Sequence, residues 1–329
     1  MKAFTFIIFF SILSSFASNA QDKQSGISEV PAHKSPVPLN RSAEALGISP
    51  EVQRKVKTMT NPPVNIALFA VDRRTEQEAG NTDIIIIISI NPLNGKVKMS
   101  SIMRDTYVKI EGKDMDKLNA AFAVGGPQLA IKTINQNFDL DIKDYMNVDF
   151  YGAAKIVDAL GGIMVNVKAA ELPYLNNYLD EVSVYEKIPA IPLKNPGLQK
   201  LDGKQTVAYT RIRAAGNGDA ERTERQRSVL ISIFDKLKGS GQEIFPVFAT
   251  EVLPNIETSM ANFALLNFAG SILNSKNKTI EQARFPLDRE SVGKRINNIW
   301  YLSTDLKVTT RSLHHFIYKN EVTKKKAPL

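Results

Sequence analysis

The apolar positions fall into short blocks of two distinct kinds. Val64 to Val71 is apolar except for Asn65, and Ile84 to Ile90 is apolar except for Ser89. Both runs are too short for a buried helix and rich in β-branched residues, so they read as strands covered on both faces. Asn91-Pro92-Leu93-Asn94-Gly95 separates the second run from a third strand, Lys96 to Ile102, and its Asn-Gly pair is a strong hairpin signal. If the three strands form an antiparallel meander, the end of the first, the start of the second and the end of the third share one edge. Asp72, Asp83 and Arg104 then meet there. The period changes downstream. Pro127 to Phe138 has apolar residues at helical spacing, Tyr145 to Phe150 reads as a strand, and Gly152 to Leu160 reads as a helix ended by Gly161-Gly162. Ile163 to Val167 is a further strand. Interleaved helices and strands predict a layered α/β domain. Ala170 to Gly197, rich in Pro and Tyr, carries no assigned element, and Asp202 is positioned to cap a short helix leading to Tyr209-Thr210-Arg211-Ile212-Arg213.

The chain ends carry other information. Residues 1–20 begin with Met1-Lys2, continue as an apolar run to Phe16 and finish on Ser18-Asn19-Ala20. This is the pattern of a secretory signal, either cleaved or kept as a membrane anchor. It predicts an extracytoplasmic protein of the cell envelope. Residues 21–63 read as a linker, poorly packed in its Pro- and Ser-rich first half, with a short helix starting after Ser49-Pro50. The folded domain is expected over 64–320 and a solvated basic tail over 321–329. No later segment approaches the roughly 18 continuous apolar residues of a membrane span.

Composition removes several chemistries. The chain has 329 residues, no cysteine and three histidines, His33, His314 and His315. Thiol nucleophiles, cysteine-ligated zinc and histidine-based triads are thereby excluded or strongly disfavoured. A net charge of +8 suits an anionic partner. The export signal and the lack of any groove-reading motif argue against nucleic acid.

The charged segment Asp219-Ala220-Glu221-Arg222-Thr223-Glu224-Arg225-Gln226-Arg227 runs into Leu230, Ile233, Phe234 and Leu237, which form one apolar helical stripe. Asp219 and Gln226 fall on that stripe, Arg222 and Arg227 lie at its two edges, and Arg225 is expected on a solvated face. Inward-facing charges need partners, so the segment is either a ligand site or an internal salt-bridge network. Arg211 and Arg213 share one face if their segment is extended, and guanidinium forks match phosphate oxygens. Asp72 and Asp83 across a loop mouth suit a hard cation such as magnesium.

These segments resemble the LytR–CpsA–Psr family. The matching stretches are Val71-Asp72-Arg73-Arg74, Thr82-Asp83-Ile84, Ser101-Ile102-Met103-Arg104-Asp105 and Lys117-Leu118-Asn119-Ala120-Ala121. Val157-Asp158-Ala159-Leu160-Gly161-Gly162, Leu201-Asp202-Gly203, Arg211-Ile212-Arg213 and Asp219 to Gln226 follow in the same order. The resemblance spans roughly Val64 to Lys238, with a weaker match from Phe245 to Tyr318. It implies a central mixed β-sheet flanked by helices in three αβα layers, with an apolar tunnel for a polyprenyl chain. It also implies transfer of a glycan phosphate from a polyprenyl-pyrophosphate carrier at the membrane surface to a sugar hydroxyl of peptidoglycan. On that basis Asp72 and Asp83 hold Mg2+, while Arg74, Asn81, Arg104, Lys117, Arg211, Arg213, Arg222 and Gln226 surround the pyrophosphate. Arg104, Asp105, Asp219 and Arg222 are the expected catalytic group, with Asp105 and Asp219 both candidates for general base. Two positions depart from the family pattern. Asn81 stands where arginine is usual, and Met103 where proline is usual. The first leaves room for altered substrate preference or weaker activity and is the best support for one alternative, a non-catalytic binder of polyprenyl phosphates or wall polymers; a pyrophosphate hydrolase using the same site with water as nucleophile is another.

Overall fold

The computed structural model describes residues 38–71, 80–186, 190–215, 218–261 and 279–318, together with Ala264, Leu265, Asn267 and Gly270. The proposed signal, Asp72, Arg74 and the basic tail lie outside the described residues.

Strands β1 (Val64–Val71), β2 (Thr82–Ile90) and β3 (Val97–Ile102) form the expected antiparallel meander. The turn between β2 and β3 is held by the Asn91 side chain, whose Oδ1 accepts from Leu93 N and Asn94 N, with Gly95 at φ 64°. A small hairpin follows, β4 (Tyr107–Lys109) with β5 (Met115–Lys117). Helix α1 (Pro50–Thr58) precedes the sheet, and α2 (Ala120–Phe138) crosses one face of it. The sequence pattern placed the start of α2 at Pro127. The helix begins earlier but breaks at Gly125 and Gly126, whose non-helical backbone lets Pro127 open a second segment. Strand β6 (Asp144–Asp149) then pairs parallel to β1, and α3 (Phe150–Ala159) returns over the opposite face.

Next come β7 (Ile163–Val167), α4 (Leu172–Glu186), β8 (Gly197–Leu201), α5 (Gly203–Arg211) and the long α6 (Asp219–Gly239). Helix α4 falls in the stretch to which no element was assigned. Short helical turns cover 241–255 before β9 (Glu257–Thr258) and β10 (Glu281–Phe285). A hairpin, β11 (Ser291–Ile296) and β12 (Ile299–Thr304), leads into the last described helix, α7 (Leu306–Tyr318). The main sheet has six strands in the order β10-β3-β2-β1-β6-β9, mixing parallel and antiparallel pairs.

Alternation along the central strands separates two apolar cores. Phe69, Ile85, Ile87 and Ile102 pack with Ile131, Ile134 and Phe138 of α2 and with Leu313 and Ile317 of α7. Ile66, Leu68, Ile86, Ile88 and Met99 face the other way, toward Ile156 of α3, Phe234 of α6 and Phe248. The chain therefore has the three-layer αβα architecture. Part of the segment read as linker belongs to the first core: Leu46, Ile48 and Val52 are buried in it, and Asn135 of α2 donates to Leu46 O. Ordered packing therefore starts upstream of Val64.

Two of the family-like motifs act as a clamp between helices. Asp202 caps α5 through Gln205 N while the Gln205 side chain accepts from Asp202 N, a reciprocal capping box. Gly203 lies so close to α3 that a Cβ would sit 2.2 Å from Ala154 O, and its N–H donates to Asp158 Oδ1 at 2.7 Å. The Asp158 and Asp202-Gly203 motifs thus fix α5 to α3, and with them the roof over one face of the sheet.

Candidate functional site

The meander does what its topology requires. Asp83 starts β2, Arg104 follows β3, and the two side chains form an ion pair. Asp83 is the hub of the cluster. Its Oδ2 also lies 3.5 Å from Arg213 Nη2 and 3.6 Å from Arg222 Nη1. Asp219 at the start of α6 lies 3.2 Å from Arg222 Nη2 and 3.8 Å from Arg104 Nη2. Asp105 is buried, with Oδ1 2.7 Å from Lys117 Nζ and Oδ2 3.5 Å from Arg104 Nε. Residues from five separate stretches of chain therefore converge, with four cations (Arg104, Lys117, Arg213, Arg222) against three carboxylates among the described residues.

The cations differ in how well they are neutralised. Burial on its own would lower the Arg104 pKa, but Asp83, Asp105 and Asp219 outweigh it and hold the guanidinium above its ordinary value. Arg222 goes the other way. Burial and the repulsion of Arg104 and Arg213 exceed the attraction of Asp83 and Asp219, and its pKa is lowered. Arg222 Nε is buried with no hydrogen-bond partner among the described residues. A buried, under-compensated guanidinium with an unused N–H is an anion site in waiting.

Arg211 and Arg213 do not share a face as expected. Helix α5 continues through Arg211, which packs over the rings of Phe150 and Tyr178 and lies 3.5 Å from Glu181, while Arg213 alone reaches Asp83. Asn81 is exposed just before β2. Met103 is buried beside the site, and Thr223 Oγ1 lies 3.6 Å from its sulfur. Arg225 requires a correction. It is buried, donating to Glu171 Oε1 at 2.8 Å and to the carbonyls of Ile212 and Ala215 at 2.9 Å each. The reason is that α6 is covered on two sides. One faces the sheet, and the other packs under β7, β8, α4 and α5, whose apolar residues form a third core with Val229.

An apolar cavity of ≈ 190 Å³ lies between the sheet and its helical roof. Leu68, Ala70, Ile84, Ile88, Met146 and Val148 form its floor; Ala153, Val207, Leu230, Ile233 and Phe234 form its walls. The stripe of α6 read from the sequence therefore lines a cavity. The part of the wall contributed by α5, including Thr206 and Thr210, was not anticipated, because that helix is too short to show a clear period. Gln226 and Ile84 line both this cavity and the adjoining charged pocket, which also includes Asp83, Arg104 and Arg222. The apolar space thus ends on the cationic cluster.

The LytR_cpsA_psr family model matches residues 25–315. A polyisoprenyl-teichoic acid–peptidoglycan teichoic acid transferase, TagU of Oceanobacillus iheyensis, is 32% identical over 279 residues, covering 80% of this chain and 77% of that protein. The crystal structure of B. subtilis TagV is similar with a TM-score of 0.62 and 24% identity, covering 79% of this chain and 98% of that one. A LytR-CPS2A-psr family protein, YwtF (TagT), with bound octaprenyl pyrophosphate lipid has a TM-score of 0.61 and 20% identity, covering 85% of this chain and 99% of that one.

Proposed function

The chain belongs to the LytR–CpsA–Psr family, and on that premise we propose that it is a transferase that moves a glycan phosphate from a polyprenyl-pyrophosphate carrier onto peptidoglycan. The observation that carries this reading is the junction at Gln226 and Ile84 between an apolar cavity and a charged pocket lined by Arg104 and the buried Arg222. One ligand that satisfies both halves is an isoprenoid chain ending in a pyrophosphate. In the reaction an acceptor sugar hydroxyl attacks the glycan-bearing phosphorus. The bond to the bridging oxygen breaks, and polyprenyl phosphate leaves with the displaced electron pair. Arg104, Arg213 and Arg222 are placed to take up charge on the phosphate oxygens, and such chemistry relies on positioning and neutralisation. Between the two candidates for the hydroxyl proton, Asp219 is favoured, because its side chain is the more exposed, 28% against 4% for Asp105. Asp105 is buried and held by Lys117 and Arg104.

The test is to obstruct the apolar half alone. Ala153→Phe adds a ring to the cavity wall and should raise KM for a long-chain polyprenyl donor about tenfold or more, with little change for a short-chain analogue bearing the same pyrophosphate-glycan. Equal effects on both donors would count against a lipid in the cavity.

The side chains proposed for magnesium, Asp72 and Asp83, offer hard carboxylate oxygens, the donor type that ion prefers. Asp83 would hold it together with Asp72, and the ion would offset the negative charge of the pyrophosphate. Asp83→Asn then has opposite effects in two conditions. With a chelator present, inorganic pyrophosphate should bind about tenfold more tightly, since a carboxylate beside the anion is gone. With magnesium present, it should bind more weakly than to the wild type. Calorimetric titration of both proteins in both buffers decides this; the same affinity throughout would remove Asp83 from the ligand's surroundings.

The acceptor and the lipid carrier place the domain outside the cytoplasmic membrane, in keeping with the signal-like residues 1–20. External protease should digest it in intact, wall-stripped cells, and a protected pool would contradict that location. At Asn81 a neutral amide replaces the charge usual in the family, so the pyrophosphate rests on the remaining cations. Arg104, Arg213 and Arg222 remain gathered on Asp83, which favours transfer over a binding-only role.

A further inference from the structure

The β11–β12 hairpin stands beside the charged site. Leu302 N donates to Asp105 O at 2.9 Å, and Leu302 forms a parallel bridge with Thr106. On one face of the hairpin Tyr301 is buried, its ring centroid 4.8 Å from that of Tyr107 and 5.8 Å from Lys117 Nζ. That face is anchored to the residues around the pyrophosphate pocket. The opposite face carries Trp300, the single tryptophan of the chain.

Trp300 is directly opposite Arg295 in the ladder, and the next pair on the same face is Gly293 with Leu302. The indole lies across Gly293: a Cβ there would come 2.8 Å from Nε1 and 3.2 Å from Cε2 and Cζ2. The glycine is therefore what lets the ring rest against the strand. One side of the indole is covered by backbone, and the residue keeps 38% relative exposure. Arg295 is also exposed. A bilayer would require a continuous apolar face, and the hairpin does not offer one. Exposed Val292 and Ile299 lie on the Tyr301 face by pairing, and the turn is Asn297-Asn298.

We propose that Trp300, supported by Gly293 and flanked by Arg295, is a stacking platform for the acceptor glycan strand. The aliphatic C–H face of a pyranose is apolar and suits an aromatic ring, while acidic substituents on the strand are complementary to Arg295, the ladder partner of Trp300. The hydrogen bond from Leu302 N to Asp105 O ties the strand that carries Trp300 to the residue after Arg104, so a glycan strand held there is bound on the element next to the reaction site. The identity of the occupant rests on the transferase reading above; the platform's geometry does not.

The test uses the full chain and the emission of its one tryptophan. Peptide-free peptidoglycan glycan strands should change Trp300 emission saturably, and phosphatidylglycerol–phosphatidylcholine vesicles should not. Gly293→Ala keeps the fluorophore but lifts the ring, and should weaken strand binding about tenfold. Trp300→Ala, followed by calorimetry, should weaken it at least as much and raise the acceptor KM in the transfer assay while kcat is retained. A response to vesicles without one to glycan would overturn the proposal in favour of membrane contact. Unaltered strand affinity in both variants would overturn it outright. Loss of strand binding in the variants, with no transfer by the wild type, would keep the platform and reject the transferase reading. Transfer with an unchanged acceptor KM in Trp300→Ala would do the reverse.

Discussion

Arg222→Met should lower turnover of a polyprenyl-pyrophosphate donor by about two to three powers of ten, with the melting temperature held within a few degrees of wild type. Arg222 is 2% exposed, so its loss is at first sight a core mutation. The local electrostatics argue otherwise. Burial and the neighbouring Arg104 and Arg213 disfavour its charge more than Asp83 and Asp219 support it, and its Nε has no hydrogen-bond partner among the described residues. The folded state therefore gains little from this guanidinium. A side chain of similar volume and no charge fills the space, relieves the repulsion, and leaves Asp83 paired with Arg104 and near Arg213. What is lost is a donor poised for anionic charge that grows at the reacting phosphoryl group. Turnover per folded molecule and thermal melting, measured on the same preparation, separate the effects. A large fall in melting temperature with near-normal turnover would mean that the cluster is a structural salt-bridge network.

The sheet meander was legible because its signals are local: two β-branched runs, an Asn-Gly turn, and strands short enough to leave no other element. Since antiparallel pairing fixes which ends are neighbours, the meeting of Asp83 with Arg104 followed directly. The inward placement of Asp219 and Gln226 was legible for a related reason, as α6 has a long apolar stripe against which to set its phase. Other features were hidden by tertiary context. Helix α4 begins with Leu172-Pro173 in a stretch whose prolines and tyrosines suggested irregular chain, and its amphipathic pattern is weak because both α5 and the β7–β8 hairpin cover it. Arg211 was expected to act with Arg213, but one further residue of helix turns it onto Phe150 and Tyr178. The segment 42–58 looked like linker because its few apolar residues are spaced too widely to show a period, yet three of them are core.

Arg225 is the sharpest case, and it yields the opposite expectation from its neighbour one turn away. A helix wheel with one apolar stripe puts Arg225 in solvent; only the second covering layer, more than one element distant in sequence, puts it inside. There it is fully engaged. Nε serves Glu171, Nη1 serves Ile212 O, and Nη2 serves both Ala215 O and Glu221 Oε2. Glu171 is itself 2% exposed and accepts from Lys168 N, so the pair ties the start of α4 and the loop after α5 to α6. Arg225→Met should destabilise the domain by about 3–5 kcal/mol, because it strands a buried carboxylate and two buried carbonyls. For a chain of this size that is a fall of roughly 5–10 °C in melting temperature. Turnover measured well below the melting point should stay within a few-fold of wild type, since Arg225 touches none of the residues around the pyrophosphate pocket except through the loop carrying Arg213. Adding Glu171→Gln should recover part of the stability, as no uncompensated charge then remains. If Arg225→Met melted like wild type but lost turnover, this arginine would belong to the functional cluster and the loop from Ile212 to Ala215 would be the element it controls.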